Sequence, residues 1–364
     1  MITLADNPRD IAYSKNLRKY CRQVEVFYLN TIQAKIKGMQ SLLSGQSISQ
    51  GYFFKKQFLE TLERWVESET YDILFCFSSS MAEYVFKSKK TTSRIAKKLV
   101  MDFCDLDSDK WRQYAGNSSF PLNILYKAEA SRLLNFEKKI NKTFHRSIFV
   151  SPKEAELFRT CHPEARHVEI VSNGVDHGFF DADKVKLSDS YPSDMIVFSG
   201  AMDYYANIDG VIWFSEKILP EIKKNIPGVR FFIVGSNPDT RVKMLETDPG
   251  ITVTGFVEDI REYYKAADIC VTPLRIARGV QNKVLEAMAM KKAIVTTSNA
   301  VQGISLHGQG ELPLVIENDA GEFARQVVIL LKDKARCHSL GGSARSFILD
   351  HYQWDKTMQV FKNI

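Results

Sequence analysis

The stretch ICVTPLRIARGVQNKVLEAMAM, residues 269–290, decides the fold of this chain. Its first four residues, Ile269–Thr272, are apolar or β-branched throughout, which is typical of a parallel strand buried on both faces. Pro273 ends this strand, and a loop with two arginines follows it. From Gln281 onward, apolar residues recur at the spacing of a helix that packs one face on a sheet. The stretch therefore predicts a strand, a cationic loop and a helix in succession.

Charged residues in this stretch form a predicted anion site. Arg275 and Arg278 lie in the loop with Gly279, and Lys283 lies near the start of the helix. The free backbone N–H groups and the dipole of a helix N-terminus attract negative charge. Glu286 follows Lys283 by three residues, within reach of the same ligand, and its carboxylate is suited to accept hydrogen bonds from sugar hydroxyls. Together these residues indicate a nucleotide-diphosphate pocket.

The composition of the chain excludes several classes of protein. Its 364 residues are 45% apolar, which is enough for a globular chain of two domains. No apolar run approaches ~18 residues, so we expect no membrane-spanning helix. The first ten residues hold charges and a proline where a signal peptide needs an apolar core. The six cysteines form no C-x-x-C pair, so we expect reduced thiols and neither disulfides nor zinc.

Positive charge is concentrated in the first half of the chain. Residues 1–180 carry 27 Lys and Arg against 20 Asp and Glu, whereas residues 181–364 carry 22 against 23. A basic half fits an anionic partner such as a phospholipid surface or a phosphate-bearing acceptor. Solvated, lysine-rich helices would produce the same balance, so both interpretations stay open.

Strand-like and helix-like segments alternate along the whole chain. In the first half the predicted strands lie near residues 2–6, 24–29, 72–79, 97–105, 147–151 and 168–176. In the second half they lie near residues 195–200, 230–235, 251–255, 269–273, 293–297 and 313–316. Helical segments separate most of these strands, which predicts an α/β fold with two doubly wound parallel sheets.

A polar segment divides the two predicted sheets. Residues 181–192 are weakly periodic and mostly polar, so we assign them to a linker. The N-terminal domain is then expected at residues 1–180 and the C-terminal domain at residues 193–350. Residues 351–364 are expected to form a C-terminal helix, for which a return to the N-terminal domain is one option.

The order of strands in the second half predicts where a ligand binds. In the usual doubly wound order, the first and fourth strands of the unit are neighbours at the topological switch point. Here these are the strands near residues 195–200 and 269–273. The loops at their carboxyl ends should line one crevice, with residues 200–202 opposite residues 275–279.

These features resemble glycosyltransferase family 4 (glycosyl transferases group 1), whose GT-B fold has two Rossmann-like domains facing across a cleft. The features are the two doubly wound halves, the NGVD turn at residues 173–176 before the linker, and the motif G-x-x-x-K-x-x-E-A-M-A at residues 279–289. Residues 102–115, 199–214 and 273–290 are also similar to sugar transferases of the exosortase/PEP-CTERM exopolysaccharide system. The resemblance covers nearly the whole chain.

The resemblance implies roles for the motif at the helix start. Glu286 matches the carboxylate that holds the ribose hydroxyls of the donor nucleotide. Lys283, with the backbone after Gly279 that includes Val280, matches the clamp on the diphosphate. The residues after a strand, Gly255, Phe256 and Val257, match the backbone that contacts the base.

The loop after the first strand of the C-terminal half departs from the family pattern. Gly200 is present and would let the backbone approach the phosphates and the acceptor. The positions where the family often has arginine and lysine hold Ala201 and Ala206, and Arg278 replaces the first glutamate of the family's E-x7-E. We therefore expect Arg275, Arg278 and Lys283 to supply the positive charge at the donor site.

The N-terminal half also departs from the family pattern. The chain begins at what resembles the second strand of the acceptor domain, without the first strand and its glycine-rich loop. A late start of the sequence and an incomplete acceptor domain are both consistent with this. Either case predicts an exposed sheet position beside the opening strand.

Four carboxylates follow the strand near residues 97–105. Asp102 and Asp105 are candidates for orienting or deprotonating an acceptor hydroxyl, although capping of the next segment would explain them equally well. Asp107 and Asp109 are expected to cap and solvate a helix. Four carboxylates also suggest Mg²⁺, but members of this fold usually need no metal, so we expect neither a metal nor another cofactor.

The resemblance predicts a retaining, hexosyltransferase-type glycosyltransferase for exopolysaccharide synthesis. It would move a sugar from a nucleotide-diphosphate sugar to a lipid-linked or polysaccharide acceptor, with Asp102, Asp105, Arg278 and Lys283 as catalytic candidates. Cations and a helix terminus would stabilise the leaving diphosphate, where charge develops in the transition state. Closure of the domains would then exclude water.

Two other functions stay open from the sequence. One is a GT-B nucleotide-sugar epimerase, and the other is a degenerate GT-B chain that acts as a binding or scaffold partner. We expect a cytoplasmic protein that binds no nucleic acid, with peripheral contact at an anionic inner membrane as one option. The sequence does not identify the donor base, the sugar, the acceptor or the oligomeric state.

Overall fold

A computed structural model of the chain describes residues 1–116, 118–188, 191–306, 308 and 310–363. The chain divides into two compact units, Met1–Val150 with Glu154–Ile170 and Ser151–Lys153 with Val171–Ile364. The linker that we assigned to residues 181–192 falls in the second unit, and its residues 189 and 190 lie outside the described residues. Residue 364 of the predicted C-terminal helix also lies outside them.

The strands of the first unit form two separate parallel sheets, β1-β2 and β3-β4-β5-β6. Each β3–β6 neighbour pair is parallel, as alternating strands and helices require. The strand bounds are β1 Ile2–Ala5, β2 Glu25–Tyr28, β3 Ile73–Phe77, β4 Lys98–Cys104, β5 Arg146–Phe149 and β6 Val168–Ile170.

The helices of the first unit surround these sheets and are mostly short. Their bounds are α1 Pro8–Tyr13, α2 Thr31–Leu43, α3 Ile48–Tyr52, α4 Lys56–Ser68, α5 Ala82–Lys87, α6 Thr92–Ile95, α7 Asp107–Gly116, α8 Leu122–Thr143 and α9 Pro152–Cys161. Short 3-10 helices span Ser14–Lys19 and Ser79–Met81. The apolar core of this unit lies between the sheets and α4, α5, α8 and α9.

A groove separates the two sheets of the first unit. Among the described strands, β1 pairs with β2 alone and β3 pairs with β4 alone. Residues 1–3 and residues 74–77 both line an apolar groove of about 510 Å³ beside α4. Two side chains of β3, Phe75 and Phe77, are 44% and 61% exposed. Among the described strands, β1 and β3 therefore each have one edge without a strand partner.

The second unit contains one six-stranded parallel sheet in the order β12-β11-β10-β7-β8-β9. The pairing of β7 with β10 confirms that the first and fourth strands of this half are neighbours. The bounds are β7 Met195–Ser199, β8 Arg230–Val234, β9 Ile251–Gly255, β10 Ile269–Thr272, β11 Ala293–Thr296 and β12 Val315–Ile316.

Both faces of this sheet are buried under helices, as the continuous apolar strands predict. Alternate residues of β7 belong to opposite cores, with Ile196 and Phe198 in one and Met195 and Val197 in the other. The helix bounds are α10 Tyr205–Trp213, α11 Leu219–Asn225, α12 Thr240–Lys243, α13 Ile260–Ala266, α14 Asn282–Ala289, α15 Ser298–Val301, α16 Ala320–Lys332, α17 Lys334–His351 and α18 Trp354–Thr357.

Several predicted elements differ from the observed ones. The helical segment expected between the strands near residues 195–200 and 230–235 is α10 and α11, joined by a π-helical turn at Phe214–Ile218. The sequence analysis assigned no element to α2 and α3, which lack an inward apolar stripe. No helix among the described residues is both long and apolar enough to cross a membrane.

Candidate functional site

Lys283 and Asn207 meet at the carboxyl end of β7. The Nζ of Lys283 donates a hydrogen bond to the Oδ1 of Asn207 and lies 4.5 Å from the ring centroid of Phe198. The Nδ2 of Asn207 donates to the carbonyl of Ala201 at 2.8 Å. A Cβ on Gly200 would lie 2.9 Å from the lysine Nζ and 2.7 Å from the asparagine Nδ2. Glycine is therefore required at position 200 for this close approach.

Burial of its ammonium group lowers the pKa of Lys283 to about 7, and the negative charge of Glu286 opposes this shift. The lysine thus holds its proton weakly in the absence of a ligand. An anionic ligand beside Nζ would favour the charged form and raise this pKa again. The site is therefore electrostatically complementary to a phosphate group.

Glu286 lies one turn after Lys283 on α14 and is held by Tyr264 of α13. The hydroxyl of Tyr264 donates to the Oε2 of Glu286 at 3.1 Å and lies 2.6 Å from the Oγ of Ser199. Burial raises the pKa of Glu286, while the Tyr264 hydrogen bond and Lys283 lower it in part. The second carboxylate oxygen has no partner among these residues and is the one placed to accept a ligand hydroxyl.

The N-terminus of α14 completes this side of the site. The side chain of Gln281 does not cap the helix, because its Nε2 donates instead to the carbonyl of Arg278 at 2.7 Å. Asn282, the first helical residue, accepts a hydrogen bond from Asn173 of the NGVD turn at 2.9 Å. The first backbone N–H groups of α14 therefore lie beside Lys283 without a side-chain cap, as an anion site requires.

The loop before α14 holds the other residues that were predicted for the donor site, and their contacts differ from those of Lys283 and Glu286. Arg275 forms an ion pair with Asp209 of α10, so a carboxylate already offsets its charge. Arg278 is half-buried. Gly279 has φ of 60° and its carbonyl packs against Gly303, while Val280 is half-buried against the core.

The segment after β9 extends the site along the carboxyl edge of the sheet. The carbonyl of Gly255 accepts a hydrogen bond from Gly235 at the end of β8. Phe256 is 77% exposed, whereas Val257 packs partly against the core. The structure thus brings Gly200, Lys283 and Glu286 together, and it places residues 255–257 at the ends of neighbouring strands.

Sequence reasoning missed three residues of this cluster, namely Ser199, Asn207 and Tyr264. Asn207 is adjacent to Ala206, the position at which the family often has a lysine. A polar residue in the otherwise apolar start of α10 is a signal that could have identified it. Tyr264 gives no such signal, because a tyrosine in a short amphipathic helix is ordinary.

The first unit places its acidic residues at the carboxyl end of β4. The Oδ1 of Asp102 accepts a hydrogen bond from the backbone N–H of Cys104 at 2.9 Å, where β4 has an irregular register and Cys104 has φ of 58°. Burial raises the pKa of Asp102. This carboxyl group therefore stabilises a bulge within the strand, and the catalytic role suggested for Asp102 stays a prediction.

Three long-range hydrogen bonds hold the turn that contains Asp105. The backbone N–H of Ser108 donates to the Oε1 of Glu137 at 3.1 Å, and that of Leu106 donates to the Oε2 of Glu154 at 2.8 Å. The Oγ of Ser79 donates to the Oδ2 of Asp107 at 2.8 Å. Burial raises the pKa of Glu137 to about 8, although its hydrogen bonds with Ser108 act in the opposite direction.

Asp109 is 5% exposed and pairs with Arg112 one turn later on α7. It lies in the first turn of the helix together with Asp107, as expected of residues at a helix start, but its burial shows that the predicted solvating role was wrong for Asp109. Among the described residues, no group of three or more His, Cys, Asp or Glu side chains could hold a metal ion. The expectation of a metal-independent protein stays a prediction.

Part of the chain matches a known protein family, and one relative covers most of its length. Residues 193–333 match the family model described as Glycosyl transferases group 1. A 44.6 kDa protein in the cps region of Klebsiella pneumoniae is 25% identical over 310 residues, which cover 81% of this chain and 74% of that protein.

Solved structures resemble the whole chain at low sequence identity. Anabaena HepE in complex with UDP and glucose has a TM-score of 0.62 at 12% identity, covering 100% of this chain and 98% of that one. OtsA without ligand has a TM-score of 0.65 at 11% identity, with the same coverage. Such likeness identifies the fold. The chain therefore has the GT-B fold, and its residues 193–333 match the Glycosyl transferases group 1 model.

Proposed function

We propose that this chain is a retaining glycosyltransferase that moves a sugar from a nucleotide-diphosphate sugar to a lipid-linked or polysaccharide acceptor. The observation that carries the proposal is the cluster at the start of α14. There, Lys283 lies in the first turn of a helix that has no side-chain cap, and Glu286 lies one helical turn farther on. A cation followed by a carboxylate suits a diphosphate joined to a ribose.

Different residues of this cluster would contact different parts of the donor. Lys283 and the α14 N-terminus would stabilise the leaving diphosphate, whose negative charge grows in the transition state. Glu286 would accept hydrogen bonds from ribose hydroxyls with the carboxylate oxygen that Tyr264 leaves available. Asn207 would position the lysine ammonium, because it accepts a hydrogen bond from Nζ.

The acceptor chemistry is assigned to the first unit. Asp102 and Asp105, at the end of β4, are the candidates that orient or deprotonate an acceptor hydroxyl. Retention of anomeric configuration follows from the family resemblance. The product of transfer would be an α- or β-linkage that matches the donor.

Similar proteins support the choice of substrates. The HepE structure contains UDP and glucose, and the Klebsiella pneumoniae relative is encoded in a cps region. We therefore propose exopolysaccharide synthesis as the setting. Association with the exosortase/PEP-CTERM system rests on the three sequence runs quoted above and is part of the same proposal, as is peripheral contact with an anionic membrane.

Calorimetric titration of the purified chain with UDP-, GDP- and dTDP-sugars tests the donor site. We expect one base to bind tightly with no added metal, and EDTA to leave the affinity unchanged. A donor that binds but is interconverted without any acceptor would favour the epimerase. A chain that binds none of these donors would contradict the proposal.

Transfer itself is tested by incubating the chain with the donor that binds and with lipid-linked saccharides from a polysaccharide-producing bacterium. The anomeric proton coupling in the NMR spectrum of the product gives the configuration. A product with inverted configuration would overturn the retaining mechanism while leaving the transferase assignment intact.

A further inference from the structure

Helix α2 of the first unit directs its large apolar side chains away from the protein. Ile32, Ile36, Met39 and Leu43 are 72%, 55%, 52% and 91% exposed. The residues that it buries are instead the small Ala34, Gly38 and Ser41. A helix of a water-soluble domain normally packs its large apolar residues inward. The amphipathicity of α2 is therefore inverted.

The exposed residues form one continuous stripe. Their spacings of four, three and four residues place them on a single line along the helix. At about 100° per residue, the centre of this stripe lies roughly 160° from the centre of the buried face. The stripe thus points directly outward from the unit.

Several contacts fix α2 in this orientation. The Oδ1 of Asn30 accepts hydrogen bonds from the first-turn N–H groups of Ile32 and Gln33, both at 3.1 Å. At the other end, Arg132 of α8 donates to the carbonyl of Leu42 at 3.1 Å. A Cβ on Gly51 of α3 would lie 2.6 Å from the carbonyl of Lys37, so the two helices pack closely only because glycine is there. Rotation of the stripe inward would break all of these contacts.

Lys35 flanks the stripe, about 70° from its centre around the helix, whereas Lys37 lies about 130° from that centre and nearer the buried face. Lys35 and Lys37 are exposed on α2, and among the described residues neither forms an ion pair with a carboxylate. The segment from residue 26 to residue 59 contains four lysines and no Asp or Glu. An exposed apolar line flanked by Lys35, on a segment without Asp or Glu, complements an anionic surface with an apolar interior.

We infer that α2 is the membrane-docking element of this protein and lies flat on an anionic phospholipid surface. The four apolar side chains of the stripe enter the boundary between headgroups and acyl chains, and Lys35 at the side of the stripe contacts the lipid phosphates. A protein partner would be expected to match this surface with carboxylates and shaped pockets, whereas aliphatic side chains in a straight line suit a fluid lipid boundary. The inference extends the membrane contact proposed above, but it does not depend on the donor chemistry.

Vesicle sedimentation of the full chain tests this inference. The probes are vesicles of pure phosphatidylcholine and vesicles that contain one third phosphatidylglycerol, at low and at high salt. We expect binding to the anionic vesicles at low salt and weaker binding to neutral ones or at high salt. Met39→Asp should weaken binding by about tenfold or more, because it removes one inserted side chain and adds a repelled charge.

Met244→Asp is the matched control, since Met244 is 56% exposed on a short 3-10 helix of the second unit. It should bind vesicles like the unchanged protein. An Ile36→Trp variant should show a blue shift of its added fluorescence on binding and quenching by brominated acyl chains. Circular dichroism and donor titration of each variant separate loss of docking from loss of folding and from failure of the donor site.

Three results would overturn the inference. One is equal binding of Met39→Asp and the unchanged protein to anionic vesicles, and another is equal weakening by Met244→Asp. The third is a dimer in analytical ultracentrifugation that Met39→Asp dissociates, because a second copy of the chain would then cover the stripe.

Discussion

At the carboxyl end of β7 the second unit places an ammonium group beside a carboxylate, whereas at the carboxyl end of β4 the first unit gathers carboxyl groups. Lys283 lies one turn from Glu286. Burial lowers the pKa of Lys283 and raises the pKa of Glu286. Asp102 and Glu137 have no such cation among the groups that shift their pKa values, so burial raises both. The second unit is therefore suited to bind an anion, and the first unit is suited to hold protons.

This comparison also explains the different roles of the hydrogen bonds around each group. Tyr264 and Asn207 hold Glu286 and Lys283 through side chains, which leaves backbone N–H groups at the α14 start available to a ligand. Glu137 and Glu154 instead accept backbone N–H groups of the turn between β4 and α7. The first arrangement organises a binding site, whereas the second shapes a turn.

The largest expected effect is that of Lys283→Ala on the second unit. It removes the ammonium group that faces the diphosphate, so the affinity for the donor should fall on the order of 100-fold. The affinity for the free nucleoside should change little, because the nucleoside carries no phosphate. Calorimetry with both ligands measures the difference.

Lys292→Ala is the control for this variant. Burial also lowers the pKa of Lys292, but its Nζ donates to the carbonyls of Lys265 and Ala267 rather than toward the site. It should lower the melting temperature and leave donor affinity intact. Equal loss of donor and nucleoside binding in Lys283→Ala would show that the lysine supports the fold and not the diphosphate.

A somewhat smaller effect is expected for Glu286→Gln. The substitution keeps the shape of the side chain and removes charge-assisted hydrogen bonds to the ribose, at a cost of about 2 kcal/mol in donor binding. Tyr264→Phe should cost less, since it only loosens the orientation of the carboxylate. Donor affinity and melting temperature are measured for both variants. A folded Glu286→Gln protein with unchanged affinity would remove Glu286 from the donor site.

The burial of Lys283 predicts that donor affinity depends on pH. Its pKa is about 7 in the free protein, and a bound diphosphate should raise it, so donor binding takes up a proton above that pH. Affinity should be greatest below pH 7 and fall by about tenfold as the pH rises to 8.5. Titrations across this range, repeated with Lys283→Ala, measure the effect. The same slope in the variant would assign the titration to another group.

The smallest expected effect is a change with pH in the stability of the folded protein, and it arises from Glu137 in the first unit. Its pKa is raised to about 8 in the folded state, above the unfolded value of about 4.3, so the folded state binds an extra proton between these values. The stabilisation is complete below the unfolded pKa and is lost as the pH rises through about 8. Glutamine resembles the protonated side chain and does not titrate.

As the pH rises, the melting temperature of Glu137→Gln should therefore increase relative to that of the unchanged protein. The difference between the two should grow on the order of 5 °C from pH 6 to pH 9. Glu156→Gln, an exposed change on α9, serves as the control with no such trend. A constant difference across this range would mean that Glu137 is ionised in the folded protein.

The sequence predicted much of the second unit because its signals are local. Continuous apolar strands and helical spacing identify β7, β10 and α14, and strand order alone identifies β7 and β10 as neighbours. Two other features were not predictable. The π-helical turn at Phe214–Ile218 interrupts a regular helical pattern, and α2 buries its small residues and not its large apolar ones. Periodicity indicates that a helix has two faces, but packing decides which face is buried.

The sequence by itself determined the alternation of strands and helices, the switch point, and the positions of Lys283 and Glu286 on one helix. These follow from residue spacings of a few positions, which backbone geometry converts directly into shared faces. Only the tertiary structure decided that Asn207, 76 residues away, accepts a hydrogen bond from Lys283, or that Glu137 lies beneath the turn at Ser108. Contacts between such distant residues depend on how the elements pack, and burial by that packing then sets the pKa values on which the proposed chemistry rests.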